Sequence, residues 1–87
     1  MGITFPNASR SYDATRDCVR FWGYDEALEI SFFLERTALL RLGAEPSTGE
    51  PELLAAFDAN RQEVQKRAAR IYSRHSKSSY TLKAADF

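Results

Sequence analysis

The chain has 87 residues, of which 44% are hydrophobic and 28% are charged, which is typical of an ordinary globular protein. A chain of this length has room for one core, so we expect a single domain over residues 1–87. Twelve basic and twelve acidic side chains cancel, which excludes a general electrostatic attraction to nucleic acid or to a membrane. The charges are unevenly spread, with a net −6 over residues 21–60 and +5 over residues 61–87.

The cysteine content and the hydropathy pattern bear on the compartment. Cys18 is the only cysteine, which excludes an internal disulfide and suits a reducing environment. The first residues lack a positive region followed by an apolar run, and no stretch reaches the roughly 18–20 apolar residues that a membrane span needs. We therefore expect a cytoplasmic protein.

The first elements are short. Residues 3–5 are predicted to form a strand that Pro6 ends, and residues 7–11 are predicted to form a loop of turn-forming residues. Residues 12–17 fit either a turn of helix or an irregular approach to the next strand.

Residues 18–22 and 27–34 predict a β-hairpin around a loop at residues 23–26. In its second strand the apolar residues alternate with mostly polar ones, which predicts an inward face. The chosen register sets Phe21 opposite Leu28, with apolar pairs on one face and an opposite-charge pair on the other. In this register Val19 lies opposite Ile30, Arg20 lies opposite Glu29, and the inward residues are Val19, Phe21, Leu28, Ile30, Phe32 and Leu34.

The second half of the chain is predicted to be helical and then extended. A short helix over residues 35–43 ends at Gly43, and residues 44–50 form a turn-rich linker. One long helix runs from near Pro51 to His75 because apolar residues recur at intervals of three and four. Arg61 lies inside this apolar stripe and needs a carboxylate partner or a route to solvent.

Residues 78–87 form the last predicted strand. The element order is therefore β-β-β-α-α-β, which predicts a two-layer α+β fold. Its antiparallel-rich, four-stranded sheet carries two helices on one face.

The segments "ITFPN", "VRFWGYDEALEISFF" and "LLAAFDANRQEVQKRAARIY" together resemble a family of short bacterial proteins known as domain of unknown function 1488. The resemblance spans almost the whole chain, and its most specific part is the Arg-Phe-Trp-Gly-Tyr-Asp run. It implies a small α+β fold and a bacterial, specifically proteobacterial, source, and it supplies no catalytic residues. In that family glycine is common at the position of Glu26, which favours a loop that closes through a positive φ.

The sequence contains no pattern of a metal, nucleotide or catalytic site. Cys18 and His75 occur singly, whereas a structural zinc needs four such ligands, and the four glycines are scattered and form no phosphate-binding loop. Nucleophilic catalysis would need a base beside Cys18 or a serine, and nothing in the sequence places one there. We therefore expect Cys18 to be a small strand residue and His75 to lie at a helix C-terminus, and we expect no cofactor, no metal and no enzymatic activity.

The outward face of the hairpin is the first candidate surface, since it carries Trp22, Phe33 and Arg20, with Tyr24 beside them at the loop. Such a face can anchor a protein partner or a second copy of the chain, or it can stack single-stranded bases. Alternatively, the N-terminal loop or Tyr12 covers it. Its candidate residues are Arg20, Trp22, Tyr24, Glu29 and Phe33, with Ser31 between them.

The second candidate surface is the basic half of the long helix. Its residues are Lys66, Arg67, Arg70, Arg74 and Lys77. They could contact phosphates, or they could form a solvated face in which Glu63 pairs with Arg67. The leading hypothesis is a regulatory or protein-interaction module that works through the outward sheet face, and a nucleic-acid-binding accessory protein that uses the basic helix is the alternative.

Overall fold

The structure, a computed structural model, describes residues 3–6, 10–44, 49–72 and 79–87. These residues form an α+β fold in which strands and helices follow in the order β1-β2-β3-α1-α2-α3-β4. The strands are β1 (Arg10–Asp13), β2 (Cys18–Asp25), β3 (Leu28–Glu35) and β4 (Ser79–Leu82). The helices are α1 (Arg36–Arg41), α2 (Glu50–Ala59) and α3 (Arg61–Ile71), and a 3₁₀ helix follows at Ala84–Asp86.

The four strands make one open sheet in the order β1-β2-β3-β4. β2 is antiparallel to both of its neighbours, β1 and β3, whereas β4 is parallel to β3. A parallel pair needs a long crossover between its strands, and the segment that contains α1, α2 and α3 supplies it. The predicted two-layer fold with an antiparallel-rich, four-stranded sheet is thus confirmed, and the sheet is mixed.

The hairpin of β2 and β3 forms as predicted, but the predicted register is wrong by four residues. Phe21 lies opposite Phe32 instead of Leu28, and Arg20 lies opposite Phe33 instead of Glu29. A shift by an even number of residues keeps every side chain on its face. Val19, Phe21, Ile30, Phe32 and Leu34 are therefore buried as predicted. Leu28, which was predicted to be inward, is 57% exposed beside the turn.

The position of the turn explains this shift. The strands are joined by two residues, Glu26 and Ala27, instead of the four residues predicted. Glu26 has φ 57°, in the left-handed region that glycine occupies at little cost. No glycine marks this position in the sequence. The predicted loop therefore begins at Gly23, three residues before the observed turn begins at Glu26.

The first strand also differs from the prediction. Residues 3–5 form no strand, and Thr4 makes only an isolated bridge to Tyr24. The strand beside β2 is β1, whose Arg10 and Ser11 were predicted to lie in a loop. The rest of that predicted loop, residues 7–9, lies outside the described residues. β1 forms because contacts distant in sequence hold it, such as the 2.8 Å ion pair between Arg10 and Asp58 of α2.

The core lies between the inner face of the sheet and the helices. Phe32 is its centre, with ring centroids 5.2 Å from Phe21, 5.8 Å from Phe5 and 5.6 Å from Tyr80. A Cβ added to the buried Gly23 would come within 2.6 Å of the Thr4 carbonyl oxygen and 2.8 Å of the Phe5 ring. Glycine at this position therefore lets the N-terminal segment close over the core. The sheet contributes Val19, Phe21, Ile30, Phe32, Leu34 and Leu82 to the buried cluster, and the helices contribute Ala38, Leu39, Leu53, Phe57, Val64 and Ala68.

The predicted long helix is two helices. It breaks at Asn60, which has φ −115° and ψ 18° and whose side-chain amide donates a 2.9 Å hydrogen bond to the Ala56 carbonyl oxygen. Asparagine competes in this way for backbone groups. Arg61, just beyond the break, pairs with Asp58 at 2.7 Å and lies over the Phe57 ring. The Asp58 carboxylate and the Phe57 ring thus accommodate Arg61 beside the apolar stripe.

The remaining elements agree in part with the sequence. α1 ends at Arg41 with Leu42 as its C-cap, and Gly43, with φ 108°, follows the cap in the predicted helix-ending role. The last strand is shorter than predicted, since β4 stops at Leu82 and a 3₁₀ helix follows. Most of the predicted linker, residues 45–48, lies outside the described residues, as do His75 and Ser78.

Candidate interaction face

The outer face is the side of the sheet opposite the helices. Its centre comprises the outward residues of β2 and β3, namely Arg20, Trp22, Tyr24, Glu29, Ser31 and Phe33. The register arranges them in three rungs, in which Arg20 faces Phe33, Trp22 faces Ser31 and Tyr24 faces Glu29. All five residues of the predicted surface therefore lie on one face.

Trp22 and Phe33 are both partly exposed. The helices of the described residues bury their apolar side chains on the opposite face. Tyr12 and Phe5, two side chains available to cover Trp22, pack against that opposite core instead. The alternative in which Tyr12 partly buries the outer face is therefore wrong, and residues 7–9 of the N-terminal loop lie outside the described residues.

Guanidinium groups lie over two of the three aromatic rings of the outer face, Trp22 and Phe33. The Arg20 guanidinium carbon is 5.0 Å from the Trp22 ring centroid, and the Arg20 Nη2 donates a 3.0 Å hydrogen bond to Ser31 Oγ. The Arg16 guanidinium carbon is 4.1 Å from the Phe33 ring centroid. Each stack of this kind contributes about 0.5–1 kcal/mol at an exposed site and holds a charged group in a fixed place.

Arg16 belongs to this face, although sequence reasoning missed it. It lies in the turn between β1 and β2, where the Asp13 carboxylate accepts hydrogen bonds from the backbone N–H groups of Thr15 and Arg16. An aspartate that bonds the backbone two and three residues later is a common turn signal. This signal could have located the turn only if β1 had been recognised.

The charged side chains of the outer face take no part in the ion pairs of the described residues. The ion pairs of the described residues all lie elsewhere: Arg10–Asp58, Arg36–Asp17, Arg61–Asp58 and Arg67–Glu63. Within residues 3–6, 10–44, 49–72 and 79–87, neither Arg16 nor Arg20 forms an ion pair, and Glu29 is exposed without a hydrogen-bond partner. The outer face therefore carries charges that the described residues leave unpaired.

Cys18 lies at one end of the outer face and is only 2% exposed. Burial raises the pKa of its thiol, and the nearby Asp13 adds to the increase. A shallow depression of about 190 Å³ lies beside it, lined by Arg16, Cys18, Phe33, Glu35 and Thr81. A neutral, buried thiol is a weak nucleophile, which agrees with the predicted role of Cys18 as a small strand residue.

A polar cluster fixes the turn that carries Arg16. The Asp17 carboxylate accepts two hydrogen bonds from the Arg36 guanidinium, at 2.8 and 3.0 Å, and one from the Tyr12 hydroxyl at 2.6 Å. The Arg36 hydrogen bonds, followed by that of Tyr12, lower the pKa of Asp17, and the hydrogen bond to Asp17 raises the pKa of Tyr12. Asp17 has φ 52°, so these bonds hold a backbone conformation that is unfavourable for a non-glycine residue.

The second candidate surface falls only in part within the described residues. Lys66 and Arg70 are exposed on α3, whereas Arg74 and Lys77 lie outside the described residues. Arg67 is engaged, because its Nε donates a 2.7 Å bond to Glu63, its Nη1 donates a 2.9 Å bond to the Asp86 carbonyl oxygen, and it lies over the Phe87 ring. The predicted Glu63–Arg67 pair is confirmed, and Arg67 ties the end of the chain to α3.

The described part of the chain holds neither a metal-binding cluster nor a helix that could span a membrane. Over residues 3–6, 10–44, 49–72 and 79–87, no group of three or more His, Cys, Asp and Glu side chains is placed to hold a metal ion. In the same ranges, no helix has the length and apolar character that crossing a bilayer requires.

Comparison with known proteins agrees with the resemblance seen in the sequence. The family model described as "Protein of unknown function (DUF1488)" matches residues 3–83. The chain belongs to the DUF1488 family. No curated protein matches this DUF1488 chain.

A solved structure supports the fold. The chain is similar to a protein of unknown function from the DUF1488 family of the bacterium Shewanella loihica PV-4, with a TM-score of 0.74 and 16% identity over 90% of each chain. At this identity the likeness concerns the fold. The organism agrees with the bacterial source that the resemblance implies.

Proposed function

We propose that this DUF1488 chain is a non-catalytic interaction module that associates with protein through its outer face. The observation that carries the proposal is the partial exposure of Trp22 and Phe33, each beneath a guanidinium group, on a face that lies opposite the helices. Tryptophan and arginine are the commonest anchors of protein interfaces. Their rings and stacked guanidinium groups are already fixed, so little side-chain entropy is lost on binding.

The charges of the outer face favour a protein partner over a nucleic acid. Arg16 and Arg20 share the face with Glu29 and Glu35, and these carboxylates would repel a phosphate backbone. A protein partner can offer both signs of charge in a matching pattern. The alternative that used the basic half of the long helix gains no support, because Arg67 is held by Glu63 and by the Asp86 carbonyl.

The proposal of a non-catalytic role in the cytoplasm is supported by Cys18. It is the only cysteine of the chain, and burial raises the pKa of its thiol, so it is suited neither to nucleophilic attack nor to disulfide formation. Fractionation of cells that carry the tagged chain tests the location: a periplasmic or membrane fraction would contradict it.

Replacing both aromatic side chains tests the proposed interaction. We expect Trp22→Ser with Phe33→Thr to abolish self-association or partner capture while the fold stays intact, because both rings lie outside the core. Sedimentation velocity and affinity capture measure the loss, and circular dichroism checks the fold. Leu28→Ser is the matched control, since Leu28 is 57% exposed away from the outer face.

Two results would contradict the proposal. One is a wild-type chain that stays monomeric at high concentration and captures nothing that depends on Trp22 and Phe33. The other is binding of short single-stranded RNA or DNA that the double variant loses, because it would assign the face to nucleic acid.

A further inference from the structure

We infer that the partner of the outer face is a second copy of this chain, arranged so that Arg20 of each copy meets Glu29 of the other. The inference rests on the proposed function, since it names the occupant of the same face. It is carried by the separation of these two charges in one copy and by their symmetric positions about the centre of the face.

The register separates Arg20 from Glu29. Glu29 lies opposite Tyr24, which is four residues beyond Arg20 on the same strand, a distance of about 13 Å at about 3.3 Å per residue. An arginine and a glutamate cannot form an ion pair over this distance within one copy.

Both charges lack an opposite partner in the described residues. Arg20 donates to the neutral Ser31 hydroxyl and stacks on Trp22, and Glu29 is exposed without a hydrogen-bond partner. Elsewhere in the described part of the chain, Arg10, Arg36, Arg61 and Arg67 all have carboxylate partners. Arg20 and Glu29 are thus two opposite charges on one face that are both available to a second copy.

A two-fold axis matches the two charges. The midpoint between Arg20 on β2 and Glu29 on β3 falls on the rung of Trp22 and Ser31. An axis parallel to the sheet and about 5 Å above this rung, midway between two sheets packed about 10 Å apart, exchanges the arginine end of the face with the glutamate end. A face-to-face dimer about this axis is isologous, and it forms the Arg20–Glu29 pair twice.

The same axis gives an ordinary packing of two sheets. The line from Arg20 to Glu29 runs about 13 Å along the strands and about 5 Å across them, so it is inclined by about 20° to the strands. A rotation about an axis perpendicular to this line crosses the two sheets at about 40°, close to the roughly 30° of aligned sheet packings. Trp22 then lies beside the axis, where it packs against the second copy.

The area of the outer face sets the expected affinity of the dimer. With two strands of eight residues and two of four, the face covers roughly 400 Å² per copy at the usual strand spacing. This is about half of what a standard interface contributes from each partner. The dimer should therefore be weak and should form only at high protein concentration.

Charge exchange tests the inference directly. We expect Arg20→Glu and Glu29→Arg each to raise the dimer dissociation constant by about tenfold or more, because a symmetric interface loses two attractive pairs and gains repulsion. The double variant carries the charges in exchanged positions and should regain most of the wild-type affinity. Sedimentation equilibrium from micromolar to millimolar concentration measures all four chains, and thermal unfolding confirms that each variant is folded.

The possible outcomes separate the inference from the proposed function. A wild-type dimer that each single variant weakens and the double variant restores supports both. A wild-type dimer that Trp22→Ser with Phe33→Thr disrupts, without restoration by charge exchange, overturns the arrangement and leaves the proposed function standing. A monomeric wild type overturns the inference, and capture of another protein through Trp22 and Phe33 would then decide the proposed function.

Discussion

The same strands form both faces of the sheet, but the two faces differ in how their aromatic side chains are packed. On the inner face Phe32 stacks with Phe21 and Tyr80, with ring centroids 5.2 and 5.6 Å away, and is fully buried. On the outer face the next residue, Phe33, is partly exposed and only a guanidinium lies over it. The difference separates the residues that hold the fold together from those that remain available for contact.

Charges follow the same division. On the helical side of the sheet, Asp58 joins Arg10 of β1 to Arg61 of α3. Across the outer face, Arg20 and Glu29 lie two rungs apart and each stays without an ionic partner in the described residues. Substitutions on the helical side should therefore lower the stability of the fold more than substitutions on the outer face.

The largest contrast is expected between two adjacent phenylalanines. Phe32→Ala should lower the free energy of unfolding by about 3–5 kcal/mol, because it leaves a cavity at the centre of the aromatic cluster. Phe33→Ala should cost less than about 1 kcal/mol, since its ring is partly exposed and mainly loses the contact with Arg16. Urea denaturation measures both, and equal losses would contradict the assignment of faces.

A change at Gly23 tests how closely the N-terminal segment packs on the inner face. Gly23→Ala should cost about 1–3 kcal/mol, because its Cβ would meet the Thr4 carbonyl oxygen and the Phe5 ring. Gly49→Ala is the control, since its nearest contact would be an ordinary 3.5 Å. Thermal unfolding compares them, and a Gly23→Ala chain as stable as the control would show that residues 3–6 do not cover the core.

The turn that sets the register offers a change of the opposite sign. Glu26→Gly should raise the free energy of unfolding by up to about 1 kcal/mol, because glycine adopts φ 57° without the Cβ clash. Ala27→Gly should give no gain, since Ala27 has no positive φ. Denaturant unfolding of both variants tests the turn, and stabilisation by Ala27→Gly alone would place it elsewhere.

The smallest expected effect concerns the stability of the fold at acidic pH. The hydrogen bond from Arg10 lowers the pKa of Asp58 below its ordinary 3.8, so the folded state binds this proton less readily than the unfolded chain does. The pair therefore stabilises the fold above that pH, and its contribution is lost as the pH falls through the folded pKa. Asp58→Asn should cost about 0.5–1 kcal/mol at neutral pH, because the pair is partly exposed.

Asp58→Asn should also flatten the decline of stability in acid. Unfolding series between pH 6 and pH 2 measure this slope. An unchanged slope in the variant would show that the Asp58 pair does not contribute. Asp17 and Glu63, whose pKa values are also lowered, contribute to the slope that remains.

The alternation of the hairpin could be predicted from the sequence, whereas its register could not. A period of two identifies which residues share a face, and it placed Phe21 and Phe32 inside and Trp22 and Phe33 outside. The register depends on the turn, and Glu26 adopts a glycine-like φ without being glycine. Gly23 does not mark the turn, because its missing side chain instead leaves room for the Phe5 ring.

The other differences come from contacts between residues distant in sequence. β1 contains residues typical of loops, and its ion pair to Asp58 and the Tyr12 hydrogen bond to Asp17 become visible only in the fold. The apolar stripe of the long helix continues past Asn60, so periodicity alone does not show the break. Arg16 joined the candidate face for the same reason, because the turn that carries it follows the unrecognised β1.

The most direct test of the outer face uses the only tryptophan of the chain, Trp22, as its own probe. Acrylamide quenching and the emission maximum of Trp22 are measured as the protein concentration rises from micromolar to millimolar. Burial of Trp22 against a second copy should move the emission to shorter wavelength and lower the quenching as the concentration rises. We expect this change in the wild type and not in Glu29→Arg. Emission and quenching that stay constant over the whole range in the wild type would contradict self-association through this face.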